Sequence, residues 1–195
     1  MAIKPILFNT PMTKSILDEC KTCTRRLLKQ PFTVHPNGYI TKPRGNENLC
    51  PYEPPYMPGD ILYVREAWYR DENRYMYRAD YSGTEKFYNG TEEVKIKWRP
   101  SIHMPKKAAR IWLMVTDVKV ERLHDMWASD VTKEGIRFNK PATSDEMIQA
   151  FADLWDSTVN KSELNTYGWN ANPYVWVIGF KKWHNPETKL WKGEE

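Results

Sequence analysis

Three runs of β-branched and aromatic residues constrain this chain more than any other feature. Ile61-Leu62-Tyr63-Val64 is short and wholly apolar, the mark of a buried strand. Arg110 to Leu123 carries Ile111, Trp112, Val115, Val118 and Val120, the longest strand signal, which a bend at Thr116-Asp117 would split. Tyr174 to Phe180 gives a closing strand. The intervening segments do not alternate regularly between helix and strand, so a parallel doubly wound sheet is excluded. The expected class is α+β: five or six strands in a small, mixed or partly closed β-barrel, with two or three flanking helices. At 195 residues a single domain over 1–195 is expected, with insertions at about 30–57 and 82–97 and a charged tail at about 183–195.

Helix signals are sparse but specific. Asn9, Thr10 and Pro11 open a short helix with Met12, Ile16 and Leu17 on one face, running to Cys20. Thr143-x-x-Glu146 is a capping box ahead of Met147, Ile148, Phe151, Leu154 and Trp155. His124 to Gly135 reads as a short helix closed by Gly135, with Glu134 in its last turn, where a carboxylate opposes the helix dipole. Tyr75 to Tyr81 alternates as a strand. Seven prolines make residues 30 to 58 an irregular loop or ribbon, and Ser82 to Glu93 reads as a polar loop.

Charge and cysteine content narrow the function classes. Net charge is +4, but residues 1 to 110 hold 19 Lys/Arg against 12 Asp/Glu, so the first part is the better candidate to meet phosphate. Nine tryptophans and eleven tyrosines accompany that charge, and rings beside cations suit unstacked bases. No apolar run approaches the roughly 20 residues that cross a bilayer, so no membrane role is expected. Three cysteines make no even disulfide framework, and a reducing cytoplasm fits them. Cys20-x-x-Cys23 with Cys50 and His35 lacks the second pair of a zinc site. No glycine-rich phosphate loop or dinucleotide fingerprint is present, and neither metal nor cofactor is expected.

The chemistry concentrates at Lys21-Thr22-Cys23-Thr24-Arg25-Arg26, three cations and two hydroxyls just past the first helix. In extended backbone Lys21, Cys23 and Arg25 share one face and Thr22, Thr24 and Arg26 the other, so Lys21 and Thr24 meet only if the backbone turns between them. One reading is a solvated basic loop. The other pairs a desolvated lysine with a threonine hydroxyl that attacks an acyl carbon, a remote carboxylic acid protonating the leaving amine. Arg65, Glu66 and Trp68, at a strand end, are placed near a rim. Trp98, Arg99, Ser101 and His103 lie on a stiff segment suited to a pocket wall.

The order of Lys21-Thr22-x-Thr24-x-Arg26, Pro58 to Glu66 and Val175 to Phe180 resembles the ASCH domain family, within the PUA-like superfamily of RNA-associated β-barrels. With Trp98 to Pro105 and Trp169-Asn170-Ala171-Asn172-Pro173, it is similar to phage- and prophage-encoded ASCH proteins. The resemblance implies a basic cleft for RNA, single-stranded nucleic acid or a modified nucleoside. More distantly it implies an N(4)-acetylcytidine amidohydrolase with Lys21 as base, Thr24 as nucleophile and Glu134 as acid. Thr22, Arg26, Arg65, Glu66, Trp68, Trp98, Arg99, Ser101 and His103 would then contact the substrate. Three alternatives stand beside it: a non-catalytic nucleic-acid binder using Arg26, Arg65, Arg99, Trp68 and Trp98, a ribonuclease using Lys21 and His103, and a phage structural protein.

Overall fold

The computed structural model describes residues 1–36, 39–44, 48–71, 74–83, 86–89 and 91–186. Twelve strands and four α-helices run through the described residues in the order β1 Ile3–Leu7, α1 Thr10–Leu17, β2 Cys23–Leu27, β3 Thr33–Val34, β4 Ile40–Arg44, β5 Asn48–Pro51, β6 Ile61–Arg65, β7 Trp68–Arg70, β8 Tyr75–Tyr77, β9 Phe87–Asn89, β10 Glu92–Val94, β11 Trp112–Arg122, α2 Ala128–Lys133, α3 Ser144–Thr158, α4 Leu164–Tyr167 and β12 Tyr174–Trp183. The fold is α+β. Its main element is a five-stranded mixed sheet in the order β1-β6-β11-β12-β2. β1 runs parallel to β6, while β11 runs antiparallel to β6 and β12 antiparallel to β2. Among the described residues no pairing joins β1 to β2, so the sheet stays open.

The chain divides into two compact units. The first comprises Met1–Cys20, Gly59–Met114 and the chain from Lys181. Its β1 and β6 are in register from Ile3 with Ile61 to Leu7 with Arg65, and Ile6, Ile61, Leu62 and Val64 are buried. Trp68, Met104 and Ala108 form a small apolar cluster, with Tyr75 and Tyr77 packed against it. Two hairpins complete the unit, β7 with β8 and β9 with β10.

The second unit comprises Lys21–Pro58 and Val115–Phe180. Its core joins Leu123, Met126, Val131, Phe151, Trp155, Val175 and Val177. α3 contributes Phe151, Ala152 and Trp155 from its apolar face, and its N-terminus is closed reciprocally by Thr143 and Glu146. Val175 and Val177 come from β12, paired with β2 from Val175 opposite Leu27 to Gly179 opposite Cys23. Gly179 is the thin point of that strand, since a Cβ there would come within 3.0 Å of Thr116 Oγ1 on β11.

Several segments differ from their sequence reading. Residues 30 to 58 hold a three-stranded antiparallel sheet, β3-β4-β5, in place of an irregular ribbon. The polar stretch 82 to 93 holds β9 and the start of β10, which pair antiparallel. The Tyr75–Tyr81 strand stops at Tyr77 and gives way to a 3₁₀ turn, Arg78–Asp80. β11 continues through Thr116-Asp117 without a split, and β12 extends to Trp183, into the segment read as tail. The rest of the tail, from residue 187, lies outside the described residues. No helix among the described residues is long and apolar enough to cross a membrane.

Candidate functional site

The Lys21–Arg26 segment is no solvated loop: Lys21, Thr24 and Arg25 are buried and only Thr22 is exposed. The ladder between β2 and β12 breaks at Thr22. Its carbonyl still accepts from the Phe180 N–H at 2.8 Å, but its own N–H donates to the Lys133 carbonyl at 2.8 Å. In a regular antiparallel pair both groups would face β12, so the backbone turns here. Lys21 then forms an isolated antiparallel bridge with Glu134, at the C-terminal end of α2.

Glu134 is held there by the way α2 ends. Glu134 is the C-cap, the Gly135 N–H donates to the Thr132 carbonyl at 2.9 Å, and the Ile136 N–H reaches back to the Val131 carbonyl. This Schellman closure needs a left-handed residue just after the C-cap, and Gly135 supplies φ 91°. Val131 is in the core and Ile136 packs against it, the apolar clasp that accompanies the motif.

The geometry delivers Lys21 Nζ to Glu134 twice, donating to Oε2 at 2.6 Å and to the main-chain carbonyl at 2.8 Å. The two side chains are 0% and 4% exposed, so this ion pair is nearly dry. Arg25 Nη1 donates to the other carboxylate oxygen, Oε1, at 3.1 Å. Arg25 also pairs with Glu121 at 2.8 Å and Asp130 at 3.4 Å. Burial alone would lower the Arg25 guanidinium, but Glu134 and Glu121 outweigh it and hold it above its ordinary value. Asp130 is pushed up by burial and pulled down further by hydrogen bonds from Lys133 and the Trp127 N–H, so it stays below the usual carboxylate range. A buried lysine, a shared carboxylate and a guanidinium thus form one connected set of charge-assisted hydrogen bonds with little solvent present.

Cys23 faces the same set. Burial, and then the Glu134 charge, push its thiol up to about 12 against the pull of Lys21 and Arg25. Thr24 lies opposite Ile178 on β2 and is 2% exposed. By strand alternation it shares a face with Arg26, opposite Cys23 and Arg25. Burial lowers the Arg26 guanidinium, opposed by Tyr56 and by Glu134, so the Glu134 charge is felt on both faces of β2. Burial raises the Tyr56 hydroxyl, and Arg26 opposes the rise.

The structure therefore brings together Lys21, Glu134 and Arg25, with Thr24 and Arg26 on the same strand and Thr22 at its break. The remaining sequence candidates belong to the other unit. Arg65 Nε donates to the Met104 carbonyl at 2.7 Å. Glu66, 1% exposed, is held by the Arg110 guanidinium at 2.9 and 3.1 Å. Trp68 is packed into the Met104–Ala108 cluster, with the Arg99 guanidinium 5.1 Å from its ring centroid. Trp98 belongs to a ring cluster with Tyr81 and Phe87. Ser101 and His103 occupy a 3₁₀ turn, the first half-buried and the second exposed.

Sequence reading left Arg25, Glu121, Asp130, Cys23 and Tyr56 out of the site. Only Arg25 and Cys23 carried a signal, the face they share with Lys21. Among the described residues no group of three or more His, Cys, Asp or Glu is placed to hold a metal ion, and all three cysteines are unlinked thiols. Compared with family models, curated proteins and solved structures, the chain has no match in any of the three.

Proposed function

We propose that this chain is an ASCH-like protein, its five-stranded sheet the open part of a PUA-like barrel, and that Lys21 and Glu134 are the acid–base couple of an amidohydrolase acting on an N(4)-acylated cytidine. The observation that carries this reading is the direct 2.6 Å contact between Lys21 and Glu134, residues 113 positions apart, inside a nearly dry site. The reading requires the Thr24 side chain, buried on the face of β2 away from Arg25, to meet Lys21 across the turn at Thr22.

Moving one proton across the pair leaves a neutral Lys21 amine and a protonated Glu134 carboxyl, the two forms the reaction needs. The amine takes the Thr24 Oγ proton as that oxygen bonds to the acyl carbon, with Arg26 holding the carbonyl oxygen. Collapse of the tetrahedral intermediate breaks the C–N bond, and Glu134 gives its proton to the departing N4. The Glu134 carboxylate then draws a proton from water, whose oxygen attacks the acyl-threonine. Acetate leaves, and the proton returns from Glu134 to Thr24.

The test is release of acetate and cytidine from N(4)-acetylcytidine. Thr24→Ala, Lys21→Met and Glu134→Gln are each expected to lower kcat/KM by at least about 10²-fold, the lower end of what positioned acid–base groups supply. Absence of release by the wild type, on the nucleoside and on acetylated RNA alike, removes the reading.

A further inference from the structure

We propose that the unit containing Gly59–Met114 carries a second, separate pocket that binds a nucleotide, its base against the Trp98 ring cluster and its phosphate on Arg78 and Lys95. The cavity measures about 550 Å³, inside the roughly 300–1,000 Å³ of small-molecule sites. Tyr81, Phe87 and Trp98 form its aromatic wall, with ring centroids 5.1, 5.5 and 6.5 Å apart. Each of these rings is only half-buried, which leaves aromatic surface for a flat ligand.

The polar lining decides what that ligand is. Among the described residues that line it, three cations, Arg78, Lys86 and Lys95, meet one carboxylate, Glu93. Glu93 is already paired with Lys86 at 3.0 Å, so Arg78 and Lys95 supply the surplus positive charge. Arg78 is fixed in place: Nη1 donates to the Tyr81 carbonyl at 2.8 Å, and the guanidinium carbon lies 5.9 Å from the Trp98 ring centroid. Lys14 Nζ donates to the same carbonyl at 3.1 Å, steadying the turn. Gly83, at φ 106°, leaves the room this needs, because a Cβ there would come within 2.9 Å of Arg78 Nη2. A purely apolar ligand would strand two cations, a bare anion would leave three rings unused, and an aromatic cation would be repelled. A flat ring carrying phosphate satisfies both halves of the lining.

The ligand is either a free nucleotide or an unstacked residue of a single strand, two sources of the same chemistry. This proposal stands apart from the Lys21–Glu134 reading, and the choice of probe keeps the two separable. Adenosine 5′-monophosphate lacks the N(4)-acyl group that the other site is proposed to read.

Calorimetric titration of the full chain is expected to show the monophosphate binding at least about tenfold more tightly than adenosine or inorganic phosphate. Trp98→Ala is expected to weaken it about 5- to 150-fold, the span of base–aromatic stacking, with Trp98→Phe restoring most of the loss. Lys95→Ala, at an exposed position that cannot upset the fold, is expected to weaken it roughly fivefold. A 5′-phosphorylated single-stranded tetranucleotide that binds more tightly than the monophosphate identifies the strand as the source, and one that does not identifies the free nucleotide. Equal affinity for adenosine and its monophosphate, or unchanged binding in Lys95→Ala, overturns the proposal. So does loss of binding in Thr24→Ala, which would put the nucleotide at the other site.

Discussion

Cys23 is a reporter built into the Lys21–Glu134 site. Its thiol stays protonated in the folded chain up to about 12, because burial and the Glu134 carboxylate both disfavour the thiolate. In the unfolded chain it ionises near its ordinary value of 9.0. Folding therefore holds a proton that unfolding releases, so the contribution of Cys23 to stability is full below about pH 9 and declines as pH rises toward 12, by up to about 1.4 kcal/mol per pH unit. Urea unfolding between about pH 8 and pH 10.5 should show this loss in the wild type, and Cys23→Ala should show a shallower slope by that amount. Equal slopes would mean that the thiol already ionises in the folded site. The ion pairs follow a related logic. Desolvation makes a buried pair a poor net stabiliser, whereas removing one partner leaves a charge stranded at a cost of about 3–5 kcal/mol. Glu134 answers two cations at once, Lys21 and Arg25, but Arg25 keeps Glu121 and Asp130 when Glu134 is lost.

At the scale of elements, one closure is used twice with different residues. α1 and α2 both end in a Schellman motif: Glu19 and Cys20 donate to Ile16 and Ser15, as Gly135 and Ile136 donate to Thr132 and Val131. The left-handed position is Glu19 at φ 61° in the first and Gly135 at φ 91° in the second. A side chain costs roughly 1–2 kcal/mol in that conformation. Gly135→Ala should therefore destabilise the chain by about 1 kcal/mol and lower kcat/KM by shifting Glu134, while Glu19→Gly should stabilise by up to about 1 kcal/mol and leave turnover alone. Thermal melts paired with acetate release check both, and a neutral Gly135→Ala would sever Glu134 placement from the closure.

Gly135 as a helix stop was legible in the sequence, as were Asn9–Pro11 and the Thr143–Glu146 box, because caps act over three or four residues. Ile61 to Val64 and Tyr174 to Phe180 were legible because burial on both faces leaves an apolar record, and β11 through its β-branched and aromatic residues, although its second half is not buried. The β9–β10 pair left almost none: a two-stranded ribbon buries little, so Ser82 to Glu93 reads as a polar loop. β4 and β5 carry Pro43 and Pro51, which argue against a strand unless it lies at an edge or start. Arg25 finds Glu121 and Asp130 at 96 and 105 residues' distance, pairings that no local pattern encodes.

Across the whole molecule the charge is unevenly used, and that difference predicts how each of the proposed substrates responds to salt. At the Lys21–Glu134 site the cations are answered internally, Lys21 by Glu134 and Arg25 by Glu121, Asp130 and Glu134. Little field is left there to recruit a phosphate chain. The positive surplus lies instead among the rest of residues 1 to 110, where 17 Lys/Arg besides Lys21 and Arg25 stand against 12 Asp/Glu. N(4)-acetylcytidine is uncharged, so its kcat/KM should change less than about twofold between roughly 0.05 and 0.5 M salt, a range over which screening of exposed charges increases strongly. If an acetylated single-stranded RNA is a substrate held through its phosphates, its KM should rise over the same range, with a slope near 0.7 per phosphate neutralised. Parallel progress curves on the two substrates measure both. A steep salt dependence on the free nucleoside would mean that the site binds through unpaired charge, and the internal neutralisation of Lys21 and Arg25 would then be incompatible with how the substrate is held.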